Sequence, residues 1–224
     1  MAVFHEGELE VQRRAGVAAM AERVGRSIHP VIPPAAARFA EERTFVLLGA
    51  ADAAGRAWAT LLRGAPGFAS VPSADRLHLA AVPPPGDPLA ATLAAPAEVG
   101  TLLIDPPTRR RMRLNGRARP DGVGGLEIEV RQVYANCPRY IQPRPVSLPG
   151  TVGAPVATGS RITPGQRAWL EQTDTLFVAT RHPGAGADVS HRGGAPGFVR
   201  VPEAGRVQLA DYPGNMMFNT LGNV

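Results

Sequence analysis

The sequence predicts a mainly β chain with short helices, built from one unit written twice. Three observations lead there. Gly and Pro are frequent (25 and 23 of 224 residues) without a collagen-like period, which implies many turns and short elements. Runs such as RLHL (76–79) and RVQL (206–209) alternate polar and apolar residues, as half-buried strands do. Finally, GAPGFASVPSADRLHLA (64–80) lies without gaps over GAPGFVRVPEAGRVQLA (194–210), with eleven identities in seventeen positions. The length and the 44% hydrophobic content suit a globular chain with a real core.

Taken in order, residues 1–33 form an N-terminal segment. Within it Val17, Met20, Ala21, Val24 and Ile28 make one stripe, so residues 8–28 are expected to form an amphipathic helix packed on the sheet. Its polar face mixes Glu with Arg, unlike the uniformly basic face of a membrane-surface helix. The first repeat spans 34–141. Pro33-Pro34 opens a short helix, AAARFAEER, and TFVLLGA follows as the first strand. The second repeat spans 163–224. There Thr163 is a helix cap, Pro164 the first helical residue and Gln166 the reciprocal capping partner, with TLFVAT as the strand. The register holds, with Pro34 on Pro164, Phe39 on Trp169 and Glu41 on Glu171.

In each copy a Val-Pro pair, at 71–72 and 201–202, is expected to end a strand, since Pro cannot donate to a ladder. The first copy then continues through three strand-like runs: VGTLLID (99–105), RRRMRLNGRAR (109–119) and GLEIEVRQVYANC (125–137). The second reaches Val224 without them. Half a unit leaves open sheet edges, which proteins normally avoid, so a longer protein or a completing partner is expected. Residues 142–162 join the repeats and, being rich in Pro, Gly and small residues, read as a linker or wrapping segment.

Composition narrows the chemistry. All 24 basic residues are Arg, so there is no Schiff-base lysine and no P-loop lysine. Cys137 is the single cysteine, which rules out an intrachain disulfide and reads as a small buried hydrophobe. The five histidines lack metal-ligand spacing, and no metal site is expected. There is no apolar signal region and no long apolar run, so no membrane span is expected and a cytoplasmic location is the default. A net charge of +5 suits a phosphate ligand or nucleic acid without choosing between them. Arg111, Arg113, Asn115, Arg117 and Arg119 share one face of their strand. With only 5% aromatic residues, single-strand nucleic-acid stacking is not favoured, and a solvated or dimer-facing surface is expected. An arginine from this row reaching a neighbour's bound phosphate stays open.

Two polar stretches carry the candidate site. Asp188-Val189-Ser190-His191-Arg192-Gly193-Gly194 ends a strand in a hydroxyl, an imidazole, a forked guanidinium and two glycines, a set that suits an anion. The first-copy counterpart, WATLLRG around 58–64, has a Leu-Leu pair within it instead. In GNMMFNTLGN (214–223), Asn215, Asn219 and Thr220 fall roughly on one side of an expected helix, near an N-terminus able to receive phosphate. The alternatives are a capped solvated strand end and a capped helix with exposed amides. Asp188, Ser190 and His191 are too close on one strand to form a hydrolase triad.

ADVSHRGGAPGF followed by DYPGNMMFNTLGN resembles the FMN-binding split-barrel proteins related to pyridoxamine 5'-phosphate oxidase. FHEGELEVQ and VYANCPRYIQ (133–142) resemble the longer, duplicated members of that group. The resemblance covers most of 34–141 and 164–224 and is specific to the superfamily rather than to a reaction. It implies a tandem split β-barrel with an incomplete second barrel, FMN (rather than FAD or another flavin) as cofactor, and a homodimer. Carried over by position, Ser190, His191, Arg192 and Gly193 line the flavin, Asn215, Asn219 and Thr220 approach its phosphate, and Phe218 packs toward the core or ring. Asn136, Cys137, Arg139 and Tyr140 close the site. His191 is the one candidate proton donor, and a reduced nicotinamide a candidate reductant. The implied function is an FMN-dependent oxidoreductase of unidentified substrate. The alternative is a non-catalytic module that binds flavin, haem or a partner protein.

Overall fold

The apolar run after the first short helix is β1 (Phe45–Ala51), and it is buried on both faces. Val46, Leu48 and Ala50 enter one core with Phe39, Leu79, Leu103 and Ile128. Phe45 and Leu47 enter a second core with Leu102, Ile104, Ile141 and Val189. A strand covered on both sides has no polar face to alternate with, hence the uninterrupted apolar sequence. The computed structural model describes residues 3–147 and 159–224. It extends β1 into a seven-stranded antiparallel sheet with β2 (Ala57–Arg63), β3 (Ala69–Ser73), β4 (Arg76–Leu79), β5 (Ala97–Asp105), β6 (Arg110–Pro120) and β7 (Leu126–Ala135). The order β2-β1-β5-β6-β7-β4-β3 inserts the β5–β7 meander between β1 and β4 and leaves β2 and β3 as edges. No strand pairing closes this sheet into a barrel among the described residues.

The N-terminal region forms two helices instead of the one expected over 8–28. These are α1 (Glu6–Arg14) and α2 (Ala18–Gly25), and the break falls at Gly16, which takes a left-handed conformation at φ 68°. Ala21, Val24 and Ile28 of the expected stripe do pack inward, with Phe4, Tyr134 and Met217. The face α1 buries is polar, carrying Glu8 and Gln12. α3 (Pro34–Glu41) then leads into β1.

The second repeat repeats the first in detail: α4 (Pro164–Gln172), β8 (Thr175–His182), β9 (Gly186–Gly193), β10 (Val199–Glu203), β11 (Arg206–Leu209). α4 has the expected capping box between Thr163 and Gln166. The shared turn is held alike, Gly67 N donating to Glu41 O at 2.7 Å and Gly197 N to Glu171 O at 2.8 Å. Both glycines sit at φ near 90°, which is why the GAPGF loop keeps them. The Val-Pro pairs do not end their strands: β3 and β10 continue through Pro72 and Pro202, each across a register shift that spares the missing N–H. Residues 148–158 of the expected linker lie outside the described residues.

The repeats differ in what surrounds them. β8–β9 and β10–β11 are separate two-stranded sheets. The β8–β9 hairpin lies on the face of the first sheet, β9 over β5 and β1 and β8 over β2. This covers part of the arginine face of β6, so Arg113 is buried and not solvated. Close approach depends on Gly49 and Gly100, cross-strand partners in β1 and β5. A Cβ on Gly100 would stand 2.6 Å from Asp188 Cα and 2.7 Å from Ala187 O, both backbone atoms.

Gly100→Ala is therefore expected to lower stability by about 1–3 kcal/mol through overpacking. Gly165→Ala, whose Cβ meets open space on an exposed helix, should be neutral or stabilising. Urea unfolding of the two variants checks this, and equal effects would contradict the close packing of β9.

Candidate functional site

Asp188 is the one carboxylate in the largely buried β9, so it requires a positive partner. Arg113 of β6 supplies it, its Nη1 donating to both Asp188 oxygens at 2.9 Å, with both side chains nearly inaccessible. Its Nη2 donates to Ser190 Oγ at 2.5 Å, and Nη1 also reaches Asn219 Oδ1 at 3.2 Å. Burial works against the Arg113 charge, but Asp188 overcomes it and holds the guanidinium above its usual pKa. Asn219 in turn donates to Glu8 Oε1 of α1 at 2.5 Å, and Gln12 donates to Met217 O at 3.0 Å. One guanidinium thus joins the first sheet, the second repeat, the 215–223 segment and, through Asn219, the N-terminal helix.

Beside this hub lies a cavity of about 130 Å³. Arg111 and Arg113 form its floor, His191, Arg192 and Gly193 one wall, Asn136, Arg139 and Tyr140 another, and the 210–221 segment the rest. Tyr140 stacks on Tyr212 with centroids 5.1 Å apart and donates to Pro213 O at 3.1 Å, fastening two walls together. Gly193 is required by the protein itself, since a Cβ there would fall 2.0 Å from Tyr140 O.

Ser190 does not line this cavity. It is fully buried beneath it, bonded to Arg113 and, at 2.8 Å, to Thr220 Oγ1. His191, Arg192, Gly193, Asn215, Phe218, Asn219 and Thr220 do border it. The expected helix over 215–220 is only α5 (Asn219–Gly222), because Met216 and Phe218 take left-handed conformations at φ 62° and 60°. Asn215 lies outside it and caps Met217 N at 3.2 Å. A single helical turn offers no dipole to hold phosphate, and Asn219 and Thr220 are already bonded to Glu8, Arg113 and Ser190. Cys137 is half-buried, not a core residue.

The cavity carries an excess of positive charge. Asp211 is the one acid among the bordering residues, against Arg111, Arg113, Arg139 and Arg192, and of these Arg113 is paired with Asp188, which does not border the cavity. Burial and the neighbouring Arg113 bring the Arg111 pKa down to about 10. Arg192 is also lowered, by burial and then Arg113. Burial, followed by Arg111 and Arg192, brings His191 down to about 3, so it is a neutral imidazole. Arg111 Nη1 stands 2.9 Å from His191 Nδ1. A guanidinium only donates, so Nδ1 accepts and the ring proton sits on Nε2. His191 can give a hydrogen bond but is not an imidazolium at neutral pH. Arg111 Nε, Arg113 Nε and Asn136 Oδ1 are buried without a hydrogen-bond partner. Among the described residues no group of three or more His, Cys, Asp or Glu could hold a metal ion.

The sequence reading set Arg111 and Arg113 on a solvated or dimer-facing surface, and it passed over Glu8 and Tyr212. The signal for Arg113 was present in Asp188, the lone acid of a strand flanked there by Ala187 and Val189. Nothing local ties Glu8 to Asn219, 211 positions away.

The first copy shows what the site is built from. At the positions of Ser190 and Asn215 it has Thr60 and Asp87, hydrogen-bonded at 2.5 Å, so an acid stands where the second copy has an amide.

Arg113→Met should cost about 3–5 kcal/mol by stranding the Asp188 charge, and adding Asp188→Leu should recover most of the loss. Chemical denaturation of single and double variants tests the pair. The folded chain refuses a proton at His191 until about pH 3, whereas the unfolded imidazole takes one near 6.5. Stability from this residue is thus full above pH 6.5 and is lost as pH falls toward 3. The imidazole resonances of His191 should stay flat from pH 5 to 8, and a midpoint near 6.5 would contradict the burial.

Comparisons with protein-family models, curated proteins and solved structures find no match to this chain.

Proposed function

We propose that the cavity binds a phosphorylated ligand, FMN in the first instance, on a tandem split-barrel scaffold. The observation that carries this is the charge excess: Arg111, Arg139 and Arg192 border one small cavity whose lining has a single acid, Asp211. Burial, followed by the Arg113 charge, lowers Arg111 and Arg192, and a bound anion offsets both. A phosphate dianion suits forked guanidinium donors better than a carboxylate does, because it accepts from several at once. The resemblance of ADVSHRGGAPGF and DYPGNMMFNTLGN to FMN-binding sequences selects the flavin among phosphorylated ligands.

In this reading Arg111 and Arg192 hold the phosphate, and His191 donates to it or to the ring from Nε2–H. Tyr140, Tyr212, Met216 and Phe218 supply the apolar and aromatic border against which a ring can lie. Ser190, Asn219 and Thr220 act beneath them, holding Arg113 and the 215–223 segment in place. A bound flavin supplies hydride or electron acceptance, with a reduced nicotinamide as the candidate donor. The neutral His191 positions and does not protonate.

A non-catalytic binding module is the second reading, and the modest size of the cavity favours it: about 130 Å³ encloses a phosphate and a little more. In that case flavin, haem or a partner is held by its anionic end with most of it outside.

FMN added to the purified chain should give saturable quenching of flavin fluorescence, with inorganic phosphate competing. Arg111→Ala and Arg192→Ala should each weaken binding about 10- to 100-fold, the worth of one charged hydrogen bond. Turnover with NADH or NADPH separates the enzyme from the module. Binding of neither FMN nor phosphate would overturn the phosphate site and with it the flavin reading.

A further inference from the structure

The second repeat exposes what the first one buries. Phe39, Leu77 and Leu79 are 7%, 0% and 0% exposed, whereas their counterparts Trp169, Val207 and Leu209 are 76%, 44% and 39% exposed. The local structures are alike: Ile32 N donates to Ala74 O at 2.6 Å, and Ile162 N to Ala204 O at 2.7 Å. The difference is a missing neighbour. In the first repeat β4 pairs with β7, setting Arg76 opposite Glu129, Leu77 opposite Ile128, His78 opposite Glu127 and Leu79 opposite Leu126. Among the described residues β11 pairs with β10 alone. Beside it runs a groove of about 500 Å³ whose apolar lining includes Ile162, Trp169, Leu170 and Val207.

We infer that the free edge of β11 is a docking site for a partner strand, antiparallel, in which aliphatic residues alternate with acidic ones. The internal repeat specifies this chemistry. An unpaired edge offers main-chain donors and acceptors to an added strand. Val207 and Leu209 stand where Leu77 and Leu79 meet Ile128 and Leu126, so the partner is aliphatic there. Arg206 stands where Arg76 binds Glu127 at 2.5 Å, and its own pair, Glu203 of the same hairpin, is exposed and 3.3 Å away. A carboxylate across the new ladder therefore meets an arginine already in position. Self-pairing of β11 with a second copy puts no carboxylate opposite Arg206, which disfavours that occupant.

The chain's own β7 is the natural probe. A synthetic peptide of residues 124–135, containing Leu126-Glu127-Ile128-Glu129, is titrated into the full protein carrying Trp58→Phe, so that emission reports Trp169 alone. A saturable blue shift is expected. A peptide with both glutamates changed to lysine should bind at least ~10-fold more weakly, and Val207→Glu should abolish the shift. Arg206→Glu, a change at an exposed position, should reverse the preference and favour the lysine peptide. No saturable shift overturns the inference, as does equal binding of both peptides by both proteins. A blue-shifted Trp169 in the free chain with a dimeric mass would assign the face to a second copy and overturn it equally.

Discussion

The buried charge pair between Arg113 and Asp188 is the constraint on which the rest of the molecule depends. Two charges removed from water are tolerated only if each is satisfied, and here the satisfaction is shared among distant segments. Ser190 and Asn219 accept from the two terminal Arg113 nitrogens while Nε stays unpaired, Thr220 holds Ser190, and Glu8 holds Asn219. A one-residue slip in the pairing of β9 with β8 would turn Asp188 away from Arg113 and send the side chains of β9 to the opposite face. The ion pair therefore acts as a register mark between the repeats, whatever its net contribution to stability.

That mark works only because the backbones come close. Gly49 and Gly100 remove side chains from adjacent strands at the place where Asp188 and Val189 descend. Around this bare spot the apolar residues Phe45, Leu47, Leu102 and Val189 close the second core. Packing brings the strand down, and the guanidinium decides where along the sheet it stops.

The same arrangement makes the site one-sided. Because Asp188 is spent on Arg113, Arg111 and Arg192 form no ion pair among the described residues, and burial, followed by those two arginines, keeps His191 neutral. The corresponding part of the first repeat carries a carboxylate, Asp87, bonded to Thr60. The shared turns and strands follow from the duplication, whereas the electropositive cavity draws on both copies, with Arg111, Arg113 and Arg139 from the first and Arg192 from the second.

The sequence by itself determined the local elements and the duplication. The seventeen-residue match, the capping box at Thr163 and the glycines of GAPGF follow from backbone and capping preferences that act within a few residues. It also pointed to His191, Arg192 and Gly193, because a polar cluster in an apolar strand is visible against its plainer copy. The tertiary structure decided the rest. Whether the Arg111–Arg119 row met water or protein depended on where β9 landed, and that depended on glycines far away in sequence. The break at Gly16 and the left-handed turns at Met216 and Phe218 replaced two expected helices, and Asn219 became a brace between Glu8 and Arg113. These are long-range contacts, and residue type along a single strand or helix carries no record of what will stand opposite.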